Sequence, residues 1–119
     1  MSDHLLTFKP GQAVTFTATT AITGGQVVEV TGNRSVGVAG AASTKAIGTA
    51  AHDAAVGDSL VVHLAGPVDT LTAAAAIAAG ATVEAAAAGK AQTETTGRVL
   101  GIALAAATAA NQTIQVLRA

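Results

Sequence analysis

The sequence predicts an all-β protein, a small barrel or sandwich of short strands built from two pseudo-repeated halves. Three observations favour this class. Short runs rich in β-branched residues alternate in polarity, Gly, Asn and Asp turns separate them at fairly even spacing, and one residue pattern occurs twice. We expect an extended N-terminal arm over residues 1–12, a single β domain over residues 13–119 and at most one short helix.

The first strands are predicted from alternation and turns. Ala13–Thr20 (AVTFTATT) alternates apolar residues with threonines, which is typical of a half-buried strand with a hydroxyl-rich face. The next strand lies in GGQVVEV, after a glycine turn. Gly32-Asn33 is a hairpin signal, so the following SVGVAG is expected to be a short strand.

The later strands carry two further signals. AIGTAA and VLGIAL each have a glycine in mid-strand, which usually marks a bulge or a close backbone approach. DSLVVHLAG and QTIQVLRA follow turns, and their alternation predicts that His63 lies on the solvent face of its strand. Pro67 stands where a strand starts, a position that tolerates its missing N–H.

The repeated pattern divides the chain into halves at about 21–65 and 76–119. Ala21–Val30 (AITGGQVVEV) aligns without a gap on Ala76–Ala85 (AIAAGATVEA). Further along, AIGTAAHDAAVGDSLVVHLA resembles VLGIALAAATAANQTIQVLRA with one insertion. If the halves have equivalent structures, Ala81–Ala86 is a strand led in by a turn at Gly80.

The alanine-rich run Leu71–Lys90 is the most helical part of the chain by propensity. It lacks the stripe of large apolar residues by which a helix packs on a core, and Gly80 interrupts it. Together with the repeat, this predicts at most one or two helical turns over residues 73–79.

Composition excludes several functions and favours self-association. The 119 residues include two Phe, no Tyr or Trp and no Cys, so the core is made of small side chains without disulfides or thiolate metal sites. Oligomerisation remains as a source of stability, and we expect a homo-oligomer. A net charge of −1, without basic blocks, gives no support for nucleic-acid binding. The sequence shows neither a signal peptide nor an apolar run long enough for a membrane span.

Few residues suggest chemistry. His52, His63 and a nearby aspartate, Asp53 or Asp58, resemble a metal or acid–base group, but a polar loop and a solvent-facing histidine explain them better. The repeated carboxylates Glu29 and Glu84 either meet through the pseudosymmetry or occupy two solvent-facing strand positions, which we favour. We therefore expect no catalytic residue, no cofactor and no metal site.

The order and spacing of these small-residue motifs resemble the head decoration, or capsid cement, proteins of tailed bacteriophages. The resemblance spans about residues 20–119 and combines an "IG.A...A..G..V.V...G.V" run, an "A...G..V.....GK" run and a closing "IG.AL" strand pair. The residues that carry it are Ile47, Gly48, Ala50, Ala54, Gly57, Leu60, Val62, Gly66, Val68, Gly80, Val83, Gly89, Lys90, Leu100, Gly101, Ala103 and Leu104. Asn111 departs from the family's usual Gly–acid turn, although Asn serves such a turn as well.

The resemblance implies a compact β fold, usually a homotrimer, that binds the outside of an assembled shell without catalysis or cofactor. The expected partner is the major capsid protein, and the expected location is the capsid exterior of the virion, after synthesis in the host cytoplasm. For the contact itself we expect the arm MSDHLLTFKPGQ to serve, through its apolar residues and the hinge at Lys9-Pro10-Gly11 that follows them. Those candidate capsid-binding residues are Leu5, Leu6, Phe8, Lys9 and Pro10.

Two alternatives remain open. The arm is equally well explained as a disordered terminus. The whole domain could instead be a small carbohydrate- or host-surface-binding module displayed on a virion, although only Phe8 and Phe16 could offer a sugar an aromatic face.

Overall fold

The computed structural model describes residues 13–64, 66 and 68–119 and confirms the all-β prediction. Over these residues ten strands follow one another, with a single 3₁₀ turn at Ala87–Gly89 between β7 and β8. The strands are β1 Ala13–Ala18, β2 Val27–Gly32, β3 Ser35–Val38, β4 Ala46–Ala50, β5 Ser59–His63, β6 Val68–Thr72, β7 Thr82–Ala85, β8 Ala91–Thr93, β9 Gly101–Ala103 and β10 Thr113–Arg118. Within this described part, no helix is long and apolar enough to cross a membrane. Pro67 lies outside the described residues.

The strands form one closed barrel and one five-stranded sheet with the same internal order. The barrel runs β1-β3-β2-β4-β5 and closes through the antiparallel pair of β1 and β5. The second sheet runs β6-β10-β9-β7-β8, which is the same cyclic order opened between β8 and β6. Only one parallel bridge, Ala73↔Ala91, spans that opening, whereas β1 and β3 pair in parallel over two residue pairs.

Matching hydrogen bonds show that the two halves have equivalent backbones. The bridge Ile22↔Ala54 in the first half corresponds to Ile77↔Ala107 in the second. The Gly25 amide donates to the Ala50 carbonyl, and the Gly80 amide donates to the Ala103 carbonyl, each at 2.8 Å. Each structural half also includes a strand, β1 or β6, so the repeat extends further towards the N-terminus than residues 21 and 76, with TFTA in β1 aligned on TLTA in and after β6.

The alanine-rich run is not helical at residues 73–79. Ala73 and Ile77 form β-bridges, and the Ala74 amide donates to the carbonyl of Ala91. Those backbone groups bond to neighbouring strands, so the helical propensity of alanine is overridden by tertiary hydrogen bonds. The strand expected over residues 81–86 is present as β7, Thr82–Ala85.

The mid-strand glycines mark close backbone approaches, as the sequence predicts. A Cβ on Gly48 would overlap the carbonyl oxygen of His63, and one on Gly101 would overlap that of Leu117. The turn before the last strand of each half has a residue in the left-handed region, with φ of +88° at Gly57 and +67° at Asn111. Asn thus serves this turn in place of glycine.

Two apolar cores hold the molecule together, and the second crosses between the halves. The first fills the barrel and includes Val28, Val36, Leu60 and Val62. The second contains Leu71, Val83, Leu100, Ile114 and Val116 from the second half, joined by Val27, Ala39 and Ala46 from the first. The second half therefore needs first-half side chains to complete its core.

Candidate interaction surfaces

The predicted capsid-binding residues Leu5, Leu6, Phe8, Lys9 and Pro10 lie outside the described residues, as does His4. The candidate surfaces below therefore come from the β domain alone.

In the His–Asp loop of the first half, the side chains of His52, Asp53 and Asp58 form hydrogen bonds with backbone groups. The Val61 amide donates to Nε2 of His52 at 3.3 Å, so Nδ1 of His52 donates to the Asp53 carbonyl at 2.9 Å. Asp53 and Asp58 each accept a hydrogen bond from a loop amide, that of Gly24 and that of Ala55. Among the described residues, no group of three His, Cys, Asp or Glu could hold a metal ion.

Glu84 corrects the preferred interpretation of the paired carboxylates, because it is fully buried rather than solvent-facing. The Thr95 and Gly97 amides donate to its Oε1 at 2.9 and 2.7 Å. Its Oε2 accepts from Nε2 of Gln92 at 2.6 Å and from the Thr95 hydroxyl at 2.9 Å. Its counterpart Glu29 is half-buried and accepts one longer bond, 3.3 Å, from the Gly40 amide.

These hydrogen bonds keep Glu84 ionised. Burial by itself raises the pKa of the Glu84 carboxyl, but the four donors outweigh it and lower that pKa to about 2. The carboxylate fixes the segment around Thr95–Gly97, and Gly97 lies against the backbone of Ala42 in the first half. Glu84 is thus a structural group that shapes the junction between the halves.

A second polar cluster joins the halves through Asp69. The hydroxyl of Thr49, on β4, donates to Oδ2 of Asp69, on β6. The same oxygen lies 3.9 Å from Nη1 of Arg118, whose Nε donates to the Leu100 carbonyl. Burial lowers the pKa of the Arg118 guanidinium, the Asp69 charge raises it and Arg98 lowers it further. Nη1 of Arg118 has no hydrogen-bond partner among the described residues.

An open cleft of about 410 Å³ lies where the halves meet. Its lining residues are mostly glycines and threonines: Thr23, Gly24, Gly25, Gln26, Thr70, Thr72, Ala88, Gly89, Lys90 and Thr113. Nζ of Lys90 donates to Oδ1 of Asn111 at 2.6 Å. None of these lining residues is aromatic, so the cleft has no ring on which a sugar could stack.

The second sheet exposes large apolar side chains on its outer face. Leu117 on β10 pairs with Val68 on β6 and with Ile102 on β9, so the three form a row across neighbouring strands. Val68 is 54% exposed, and Ile102 and Leu117 are each 44% exposed. The large exposed apolar residues elsewhere in the described chain are Val30, Val56, Val99 and Leu104.

The sequence analysis did not single out this row, although a signal was present. In TIQVLR the buried residues are Ile114, Val116 and Arg118, so Leu117 is an apolar residue out of phase with the core. Ile102 is likewise out of phase with the buried Gly101 and Ala103.

Comparison with known proteins decides the family. The family model described as phage cement protein matches residues 8–118, which is nearly the whole chain. The chain belongs to the phage cement protein family. A comparison with curated proteins gives no match.

Membership in this family gives the chain a structural role associated with the phage capsid, as a component of the virion. A solved structure supports the same fold. The crystal structure of the head fiber gp8.5 N base in bacteriophage phi29 superposes with a TM-score of 0.71 at 18% sequence identity, covering 91% of this chain and 93% of that chain. At that identity the likeness concerns the fold.

Proposed function

We propose that the chain is a cement protein that binds the outer surface of an assembled phage capsid through the major capsid protein and stabilises the shell. The match of the phage cement family model to residues 8–118 carries this proposal. The protein acts as a homotrimer, and it braces neighbouring shell subunits against the internal pressure of the packed genome.

The described domain is suited to a mechanical role. The halves share a core through Val27, Ala39 and Ala46. A hydrogen bond to Asp69 crosses their junction, and Glu84 holds the segment at Gly97 that lies against the first half. A load applied to one half is therefore transmitted to the other rather than absorbed by a linker.

The N-terminal arm supplies the attachment in this proposal. Leu5, Leu6 and Phe8 bury apolar surface on the capsid in this proposal, and Pro10 disfavours a helical conformation at Lys9. Three arms of one trimer acting together raise the apparent affinity over a single arm by on the order of 10²–10⁴.

The arm is tested by deleting residues 2–12 and titrating the truncated protein against shells of the phage that encodes it. The expected result is a folded domain whose apparent affinity for shells falls by roughly 100-fold or more. Leu5→Ser/Phe8→Ser should weaken binding in the same direction, whereas Ser2→Ala is the matched control in the same arm and should bind normally. Undiminished binding by the truncated protein would exclude the arm from the attachment.

A further inference from the structure

The junction between the halves covers part of one outer face of the barrel. Four residues lie side by side across its strands, and we call them the first outer row: Ala13, His63, Thr49 and Val27. Thr49 is 1% exposed and Val27 is fully buried, because Asp69, Gly89 and the second core pack on them. Ala13 and His63, at the other end of the row, are exposed.

The second half has the equivalent row at the same positions. The second outer row consists of Val68, Leu117, Ile102 and Thr82, joined by the same strand pairs. Here all four residues are exposed, including the two that correspond to buried Thr49 and Val27. Leu117 replaces His63 and Ile102 replaces Thr49, so the open row is more apolar than the partly covered one.

We propose that a second copy of this chain docks on the second outer row. Within the molecule, the second half packs on part of the first outer row. A β half of this chain can therefore cover a face of this geometry. That intrachain contact joins two different faces, and the same kind of contact between chains is heterologous and can close into a ring. The inference rests on the proposed function and deepens it, since it assigns the surface through which the trimer assembles.

The apolar character of the row favours this occupant. Val68, Leu117 and Ile102 form a contiguous, uncharged surface. Their exposed side chains are not part of the buried core of their own chain. A core of small side chains gains most from burying such residues against another copy, which is present at the same concentration wherever the protein is made.

The test uses the equivalence of the halves. Ile102→Thr/Leu117→His introduces on the second outer row the residue types that the first half carries at the matching positions, so both fit a strand of this geometry. The matched control is Val56→Thr, which makes a comparable change at the most exposed large apolar side chain of the described residues, 67% exposed, in a turn of the first half. The measurement is the mass of each full-length protein by light scattering over a dilution series, without shells.

The expected result is a trimer for the unaltered protein and for Val56→Thr. The double variant should be a folded single chain, or its dissociation constant should rise by roughly 100-fold. Circular dichroism verifies folding, and the separate Ile102→Thr and Leu117→His variants replace the double variant if it does not fold.

Two results would overturn the inference. One is an unaltered protein that is monomeric at all concentrations, and the other is a folded double variant that assembles as tightly as the control. Shell binding is measured separately, so an unaltered protein that is monomeric and still binds shells refutes this docking surface and leaves the cement role standing. An unaltered protein that forms trimers but does not bind shells would count against the cement role instead.

Discussion

At the scale of single residues, a few side chains and glycines carry much of the specificity of this fold. Most core positions hold Ala, Val or Leu, which are readily exchanged for residues of similar volume. Glu84 is different, because a buried carboxylate requires donors at fixed positions. The mid-strand glycines are different as well, since a neighbouring carbonyl oxygen occupies the space of a side chain.

Glu84→Gln is expected to lower the free energy of unfolding by about 2–4 kcal/mol. The amide nitrogen of Gln cannot accept a hydrogen bond, so the two donors that face it lose their acceptor. These are Nε2 of Gln92 and the Thr95 hydroxyl in one orientation of the amide, and the Thr95 and Gly97 amides in the other. Urea denaturation measures the change. The control is Glu29→Gln at the equivalent position, which should stay within about 1 kcal/mol, because Glu29 accepts one long bond. Equal losses at both positions would contradict the structural role of Glu84.

Glu84 also predicts a pH dependence in the acid range. Its pKa in the folded protein is about 2, below the ordinary value of 4.5, so its stabilising contribution is complete above pH 4.5 and is lost as the pH falls towards 2. As the pH falls from 4.5 to 2, the free energy of unfolding should decrease more steeply for the unaltered protein than for Glu84→Gln. The difference between the two slopes is at most about 1.4 kcal/mol per pH unit. Denaturation curves at several pH values compare the two, and parallel curves would refute the depressed pKa.

Gly48→Ala and Gly101→Ala should each destabilise the protein by at least about 2 kcal/mol. The added methyl group meets the backbone carbonyl of the adjacent strand, which cannot move without breaking the strand pair. Thermal denaturation followed by circular dichroism measures this. Gly40→Ala is the control, since a Cβ there has no atom within 4 Å, and its effect should be within about 0.5 kcal/mol. A neutral Gly48→Ala would mean that β4 and β5 lie farther apart than the structure places them.

At the scale of elements, the five-strand unit is closed in the first half and open in the second. Among the described residues, the seam between β6 and β8 has one bridge, whereas β1 and β3 have two residue pairs in register. The side chains of Val27, Ala39 and Ala46 enter the second half and fill its core from outside its own sheet. The second half can remain open because the first half supplies part of its interior.

At the scale of the whole molecule, this shared core predicts a single cooperative unfolding transition. Val27→Ala, on a strand of the barrel, should lower the stability of both halves together by about 2 kcal/mol. Amide signals of β1 and β5 and those of β9 and β10 should lose intensity at the same urea concentration in NMR spectra. Val28→Ala, whose side chain lies in the barrel core, provides the matched substitution inside one half. Separate transitions for the two halves would show that they are independent domains.

Much of the fold could be predicted from local patterns. Alternation predicts the strands that precede the hairpin turns. Backbone sterics predict the close approaches at Gly48 and Gly101 and the turn at Asn111. Both signals act over a few residues. The equivalence of β1 and β6 was missed in the sequence, although the signal was present. Thr15, Thr17 and Ala18 align without a gap on Thr70, Thr72 and Ala73, at the same spacing as the rest of the repeat, and the strand registers give the same alignment.

The candidate surfaces were less predictable, because exposure depends on what packs from elsewhere in the chain. The alternation in TIQVLR indicates that Leu117 faces away from the core of its strand. Only the strand pairing places Leu117 beside Val68 and Ile102. The proposed capsid contacts in the arm rest on sequence alone.

The sequence by itself determined the β class, the doubled pattern and the family, since each is written in short-range periodicity and in the order of glycines and small residues. Only the tertiary structure decided that Glu84 is buried while Glu29 is half-buried, and that Thr49 is covered while Ile102 is open. The physical reason is the same in both cases. The halves have equivalent backbones, but each packs against a different neighbour, and burial and hydrogen bonding are set by that neighbour.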